Sequence, residues 1–222
     1  MKPGYSAAFL LLFLAACAVP PAISPVPPQA ESEIRSVCAA PFPRNQWQLV
    51  HSIETDFGGG HGGMMLGVTV ITPETRTLQS ALMTIEGLVV FNAESGPEKL
   101  TIERAVPPFD SNEFARGVME DIRLMFFSPR GPVIAGNTDQ GRPICRYQTG
   151  PDRVLDIAFE PASGWVYRLY RSGKPVRTVR ADVKQAVVSP AGEVIPRRMT
   201  LTAHGTPGYT LNLKLLEAAP LQ

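Results

Sequence analysis

The chain has 222 residues, with 21 basic and 20 acidic side chains and a formal net charge of +1. That balance excludes the strongly basic surface expected of a nucleic-acid binder or a polybasic membrane patch. The length suits one ordinary domain with a sizeable core plus a short additional segment.

In chain order, Lys2 precedes an apolar run from Ala7 to Ala16 that ends in small residues. A charged start, a short apolar middle and small residues before a cut are the layout of a secretory signal. The run is too short to cross a bilayer, which takes about 20 apolar residues. Leu14-Ala15-Ala16-Cys17 resembles the bacterial lipoprotein signal. The resemblance implies that residues 1–16 are a signal peptide and that Cys17 becomes the acylated, palmitate-bearing first residue. Several chains on one cysteine anchor stably where one does not. Ala18 rather than Asp follows, which in such lipoproteins implies a periplasm-facing outer-membrane location. The alternative is an ordinary cleaved signal with an incidental cysteine.

Residues 17–43 read as a lipidated cysteine and a Pro-rich tether, ahead of a folded domain over 44–219. Five prolines among the thirteen residues 18–30 exclude a helix or a central strand there. At ~3 Å per residue this polyproline-type segment could hold a domain up to ~40 Å from a membrane. A short helix is predicted from Glu31 to Ala40, before Pro41. An oxidising compartment permits a Cys38–Cys145 disulfide, with two buried thiols as the alternative.

From Gln46 the hydrophobicity alternates. Trp47, Leu49, His51, Ile53, Thr55 and Phe57 share one face, the period of a half-buried strand. The glycine stretch at 58–63 turns the chain, and Met64 to Thr72 returns with Met64, Leu66, Val68 and Val70 together. Further strands are predicted at Thr77–Ile85, Leu88–Ala93 and Leu100–Val106, which makes an antiparallel meander. At Pro107-Pro108 the period changes. Asp110 and Glu113 read as a capping box and Phe109 with Phe114 as a staple. Phe114, Val118, Ile122 and Met125 then recur at helical spacing over 111–127, interrupted by Gly117. A second meander follows at Pro143–Gln148, Val154–Phe159, Trp165–Arg171, Val176–Val187, Val194–His204 and Tyr209–Glu217. The fold class is mainly β with a helical lid (α+β), a single curved antiparallel sheet of about eleven strands.

Recognisable catalytic patterns are missing. His51, His61 and His204 have no metal-ligand spacing, and His51 reads as a packed core residue. The glycine loop lacks the phosphate-loop order, and no nucleophile elbow is present. Glu120-Asp121 fall on what reads as the polar side of the helix. No cofactor is expected, and no enzyme is the reading taken, with a hydrolase of non-sequential site as the remote alternative. What stands out is apolar surface. One helix cannot cover so many strands, so the sheet either closes as a barrel or leaves an apolar concavity. Candidate lining residues are Trp47, Leu49, Leu66, Val68, Leu82, Phe91, Trp165 and Tyr167, under a lid of Phe114, Val118, Ile122 and Phe126.

The lipoprotein signal, the tether and two meanders around one helix resemble the LolA/LolB-type lipoprotein-localisation factors and related envelope lipoproteins. The stretches that carry the likeness are Arg104 to Asp110, Asp121 to Phe127, and Ile195 to Met199 running on to Leu213. The resemblance spans about Trp47 to Glu217. It implies a half-open barrel with a lid over an apolar cavity, a lipid acyl chain or lipoprotein acyl group as ligand, the membrane and a periplasmic carrier protein as partners, and no nucleic acid. It also implies a membrane-inserting apolar loop, for which Met64, Met65, Phe126 and Phe127 are the candidates. The function expected is acyl-chain binding in lipoprotein or lipid transfer across the envelope. The alternative is a membrane-tethered interaction module with a filled barrel.

Overall fold

The computed structural model describes residues 20–58, 62–161, 163–184 and 186–221. The signal segment, Cys17 and His61 lie outside them. Helix α1 (Pro28–Ala39) precedes the first meander, β1 (Trp47–Asp56), β2 (Gly62–Thr72), β3 (Thr77–Thr84), β4 (Val89–Ser95) and β5 (Leu100–Ala105). Helix α2 (Asn112–Phe126) leads to β6 (Val133–Asn137), β7 (Pro143–Gln148), β8 (Arg153–Glu160), β9 (Gly164–Arg171) and β10 (Lys174–Asp182). A small ribbon, β11 (Val187–Val188) and β12 (Val194–Ile195), precedes β13 (Arg198–Ala203) and β14 (Tyr209–Pro220).

Twelve strands form one antiparallel sheet in the order β5-β4-β3-β2-β1-β14-β13-β10-β9-β8-β7-β6. The pairing of β1 with β14 joins the two meanders, and β5 and β6 remain as unjoined ends. The architecture is therefore a curved, half-open sheet with helices, in agreement with the fold class read from the sequence. Two details differ. β6 is an additional strand, in a stretch whose Gly131, Pro132 and Gly136 suppress a strand signal. The predicted strands ending at Val187 and starting at Val194 stop short and form the β11–β12 ribbon instead.

The direction of β2 is a correction. Trp47, Leu49 and His51 are buried on β1 and pair with Ile71, Thr69 and Gly67. Residues directly opposite share a face, so Gly67, Thr69 and Ile71 point inward, while Leu66, Val68 and Val70 lie half-buried on the other side. The same row continues from Gly67 to Leu82 and on to Phe91.

The second half of the sheet is packed by α1. Cys38 and Cys145 form a disulfide with their Cα atoms 6.2 Å apart. The Trp165 indole donates to the Val37 carbonyl at 3.0 Å, and Phe42 stacks on Tyr167 with centroids 5.3 Å apart. Ahead of α1, Ser24 and Asn137 exchange backbone hydrogen bonds of 2.8 and 3.1 Å along the free side of β6. Arg146 donates to the Pro21 carbonyl at 2.8 Å. The approach is close enough that a Cβ on Gly136 would stand 2.3 Å from the Ser24 carbonyl oxygen, which only glycine allows.

Candidate functional site

Helix α2 begins at Ser111, whose hydroxyl accepts from the Phe114 N–H at 3.1 Å. The cap is thus Ser111 rather than the Asp110–Glu113 box read from the sequence, although Phe109 and Phe114 do meet, ring edge to face at 5.2 Å. Two side chains fix α2 across the concave face. Arg123 donates to the carbonyl oxygens of Ser95, Gly96 and Arg76 on one flank. On the other flank Asp121 accepts from Arg177 on β10 at 2.8 Å and from the Tyr209 hydroxyl.

Between α2 and the strands β1–β3 and β14 lies a cavity of about 230 Å³. Its roof comes from Phe114, Gly117, Val118, Ile122, Met125 and Phe126. Walls are supplied by His51, Ile53, Met65, Leu82, Leu211 and Leu213. Small residues, Thr55, Gly67, Thr69 and Ser80, occupy the inward positions between them. A Cβ on Gly117 would meet nothing within 4 Å. At Gly67, by contrast, a Cβ would press on Ile53 at 2.8 Å and Leu82 at 3.3 Å, so the open space is bordered by the short side chains of Thr55, Thr69 and Ser80 and by the helix position where Gly117 omits one.

Polar groups at this site are few and confined. His51 Nε2 and Ser80 Oγ are buried without a hydrogen-bond partner. Burial lowers the His51 pKa to about 4, so the imidazole is neutral at pH 7 and behaves as apolar lining. Burial raises the Asp121 pKa, against the opposing pull of Arg177 and the Tyr209 hydrogen bond. Among the described residues no group of three or more His, Cys, Asp or Glu side chains could hold a metal ion.

Of the residues singled out from sequence, Leu82, Phe114, Val118, Ile122 and Phe126 line the cavity. Trp47, Leu49, Phe91, Trp165 and Tyr167 are buried in the core and do not reach it. Leu66 and Val68 are on the opposite face, for the register reason given above. Phe126 and Phe127 are each 3% exposed, so neither is a membrane-inserting tip; Met65 lines the cavity. Met64, at 57% exposure, is joined at the same end of the strands by Phe57, Ile85 and Leu88, at 48, 64 and 54%. His51, Thr55, Gly67, Ser80, Asp121 and Tyr209 are among the lining residues that sequence reading did not select. Asp121 was legible in principle: it falls four residues after Gly117 and three after Val118, on the apolar stripe.

The geometry can be compared with known proteins. Neither a family model nor a curated protein sequence matches the chain. Solved structures of similar architecture include the following two. A LolA superfamily protein from Nitrosomonas europaea is 13% identical, with a TM-score of 0.50 over 87% of this chain and 94% of that one. A domain from Vibrio parahaemolyticus, named for outer-membrane lipoprotein sorting, is 9% identical, with a TM-score of 0.50 over 87% and 93%. The fold is LolA-like. At such identities the likeness is one of architecture, and the cavity of this LolA-like sheet is argued from its own residues. Among the described residues no helix is long and apolar enough to cross a membrane.

Proposed function

We propose that this chain is an envelope lipoprotein that shelters one acyl chain, of a lipid or of a lipidated protein, beneath α2. In this reading residues 1–16 are removed, Cys17 carries the anchor at the outer membrane, and the folded domain, with α1 packed into its core, acts by binding and transfer, not by catalysis. The observation that carries it is the partly open apolar cavity under α2, bordered by Thr55, Thr69, Ser80 and Gly117. At about 230 Å³ it lies just below the roughly 300–1,000 Å³ of common small-molecule pockets, a size for one alkyl chain and not for a bulky ligand. Support also comes from the LolA-like fold and from the lipoprotein-type segment Leu14 to Cys17. The exposed Phe57, Met64, Ile85 and Leu88 stand at the end of the strands where Phe57 also lines the cavity. They offer an apolar rim for contact with a lipid surface or a periplasmic carrier during loading.

Native mass spectrometry of the mature chain with palmitic acid tests the binding. One retained palmitate per chain is expected, and loss of retention in Gly117→Leu; an apo spectrum at saturating palmitate overturns the reading. The anchor is tested separately. Cys17→Ser should abolish acylation and move the protein to the soluble periplasmic fraction, and a variant still held in the membrane fraction refutes the anchor.

A further inference from the structure

On the other side of α2 an open cleft of about 790 Å³ lies between the helix, the turn after it and β8–β10. Its character is opposite to that of the apolar cavity. Six arginines line it, Arg76, Arg123, Arg130, Arg153, Arg171 and Arg177, against three acids, Glu113, Glu120 and Asp121. Some of these cations are already occupied. Arg177 is paired with Asp121, and Arg123 spends its donors on carbonyl groups. Arg76 donates to the Ser128 carbonyl and lies over the Phe127 ring at 5.1 Å.

Three are not. Among the described residues Arg130, Arg153 and Arg171 have no carboxylate within 4.0 Å. The Nε of Arg153 is buried with no hydrogen-bond partner at all. A buried charged donor without an acceptor is destabilising until something accepts from it. Burial, and then repulsion from Arg130 and Arg123, lower the Arg76 pKa, in keeping with the close spacing of these guanidinium groups. Planar guanidinium forks of this kind match the oxygens of phosphates and carboxylates.

The cleft and the apolar cavity also touch. Asp121 and Arg177 line both, so the cationic cleft begins where the apolar lining ends. We infer that the cleft is an anion-binding site centred on Arg153, Arg130 and Arg171, for a phosphate or carboxylate group. Its position beside the cavity favours the headgroup of the same amphiphile whose chain lies under α2. That last step rests on the chain-binding reading above; the anion site itself does not.

Three probes separate these possibilities on the mature chain: inorganic phosphate, palmitoyl lysophosphatidate, and neutral monopalmitin with the same acyl chain. Phosphate should shift the Arg153 Nε–Hε resonance in a nitrogen–proton spectrum. Lysophosphatidate should bind about tenfold more tightly than monopalmitin, as charge-assisted hydrogen bonds allow. The Arg130→Gln/Arg171→Gln pair, at exposed positions, should remove most of that advantage and leave monopalmitin binding unchanged. Arg153→Gln should likewise bring lysophosphatidate affinity down towards that of monopalmitin; the exposed pair keeps the test intact if Arg153→Gln fails to fold. A phosphate response with equal binding of the two lipids supports the anion site and assigns it to a free anion. A phosphate response with neither lipid bound supports the site and defeats the chain-binding reading. If phosphate leaves the resonance unmoved and both lipids bind alike, the anion site is overturned while the chain-binding reading stands.

Discussion

Across β6–β10 and β13 the concave face is filled to the brim. Tyr167, Ile157 and Val179 are wholly buried there, α1 and Phe42 lie on top, and a disulfide closes the layer. Across β1–β3 and β14, the corresponding inward positions carry Thr55, Gly67, Thr69 and Ser80, and a helix arches over a void. Both halves are antiparallel meanders of similar length with a helix on the same face, so topology does not decide which one is hollow. Side-chain length at four or five inward positions does. The lesson is that a cavity in a half-open sheet is made by subtraction, against a background of neighbouring strands that remain tightly packed.

The comparison can be broken most forcefully in the filled half. The disulfide spans a sequence separation of 107 residues, and loop-closure entropy assigns a loop near that length about 4–5 kcal/mol. The Cys38→Ser/Cys145→Ser chain should lose about that much in urea denaturation; a loss under about 1 kcal/mol would show that α1 holds without it. Tyr167→Ala should cost ~3–5 kcal/mol, as for other buried aromatics, whereas Phe114→Ala, half-buried over the void, should cost only ~1 kcal/mol. Equal losses in these two would erase the distinction between the halves.

Next in size is a pH effect at the hollow half. Burial lowers the His51 pKa to about 4, against ~6.5 in the unfolded chain. The unfolded chain therefore takes up a proton first as pH falls. Stability should be complete above about pH 6.5 and decline towards pH 4 by about 3 kcal/mol in total. His51→Leu should flatten that slope, and an unchanged slope would show that His51 is not the group responsible.

The smallest effect is the sharpest probe. Gly117 sits mid-helix facing empty space, so Gly117→Ala should raise stability by about 0.5–1 kcal/mol and leave palmitate bound. Gly117→Leu should leave stability close to wild type while displacing palmitate. Destabilisation by Gly117→Ala would mean that the space is not free.

The same subtraction explains what could be read from the sequence. Alternation in β1 and the i, i+4 stripe in α2 announce themselves through the side chains that are present, and so the meanders, the helix and the open architecture were legible. On β2, by contrast, the bulkier set, Leu66, Val68 and Val70, faces outward. The inward set is Gly67, Thr69 and Ile71, and only the register with Trp47, Leu49 and His51 reveals it. Trp47, Leu49, Phe91, Trp165 and Tyr167 were legible as buried, but a large buried side chain is what fills space. Hydropathy patterns weigh what a chain carries and say little about where it carries nothing.

The contact of Ser24 with Asn137, and of Pro21 with Arg146, bears on how far the molecule could roam. With the chain seated on β6 from Pro21 onwards, an acylated Cys17 would leave only three residues of slack before Pro21, about 10 Å at full extension. If Cys17 carries the proposed anchor, so short a leash would keep the domain from swinging out across the compartment to fetch a ligand. On the proposed reading it would sit with the β6 edge against the bilayer as a fixed berth, and a carrier of the acyl chain would have to come to it.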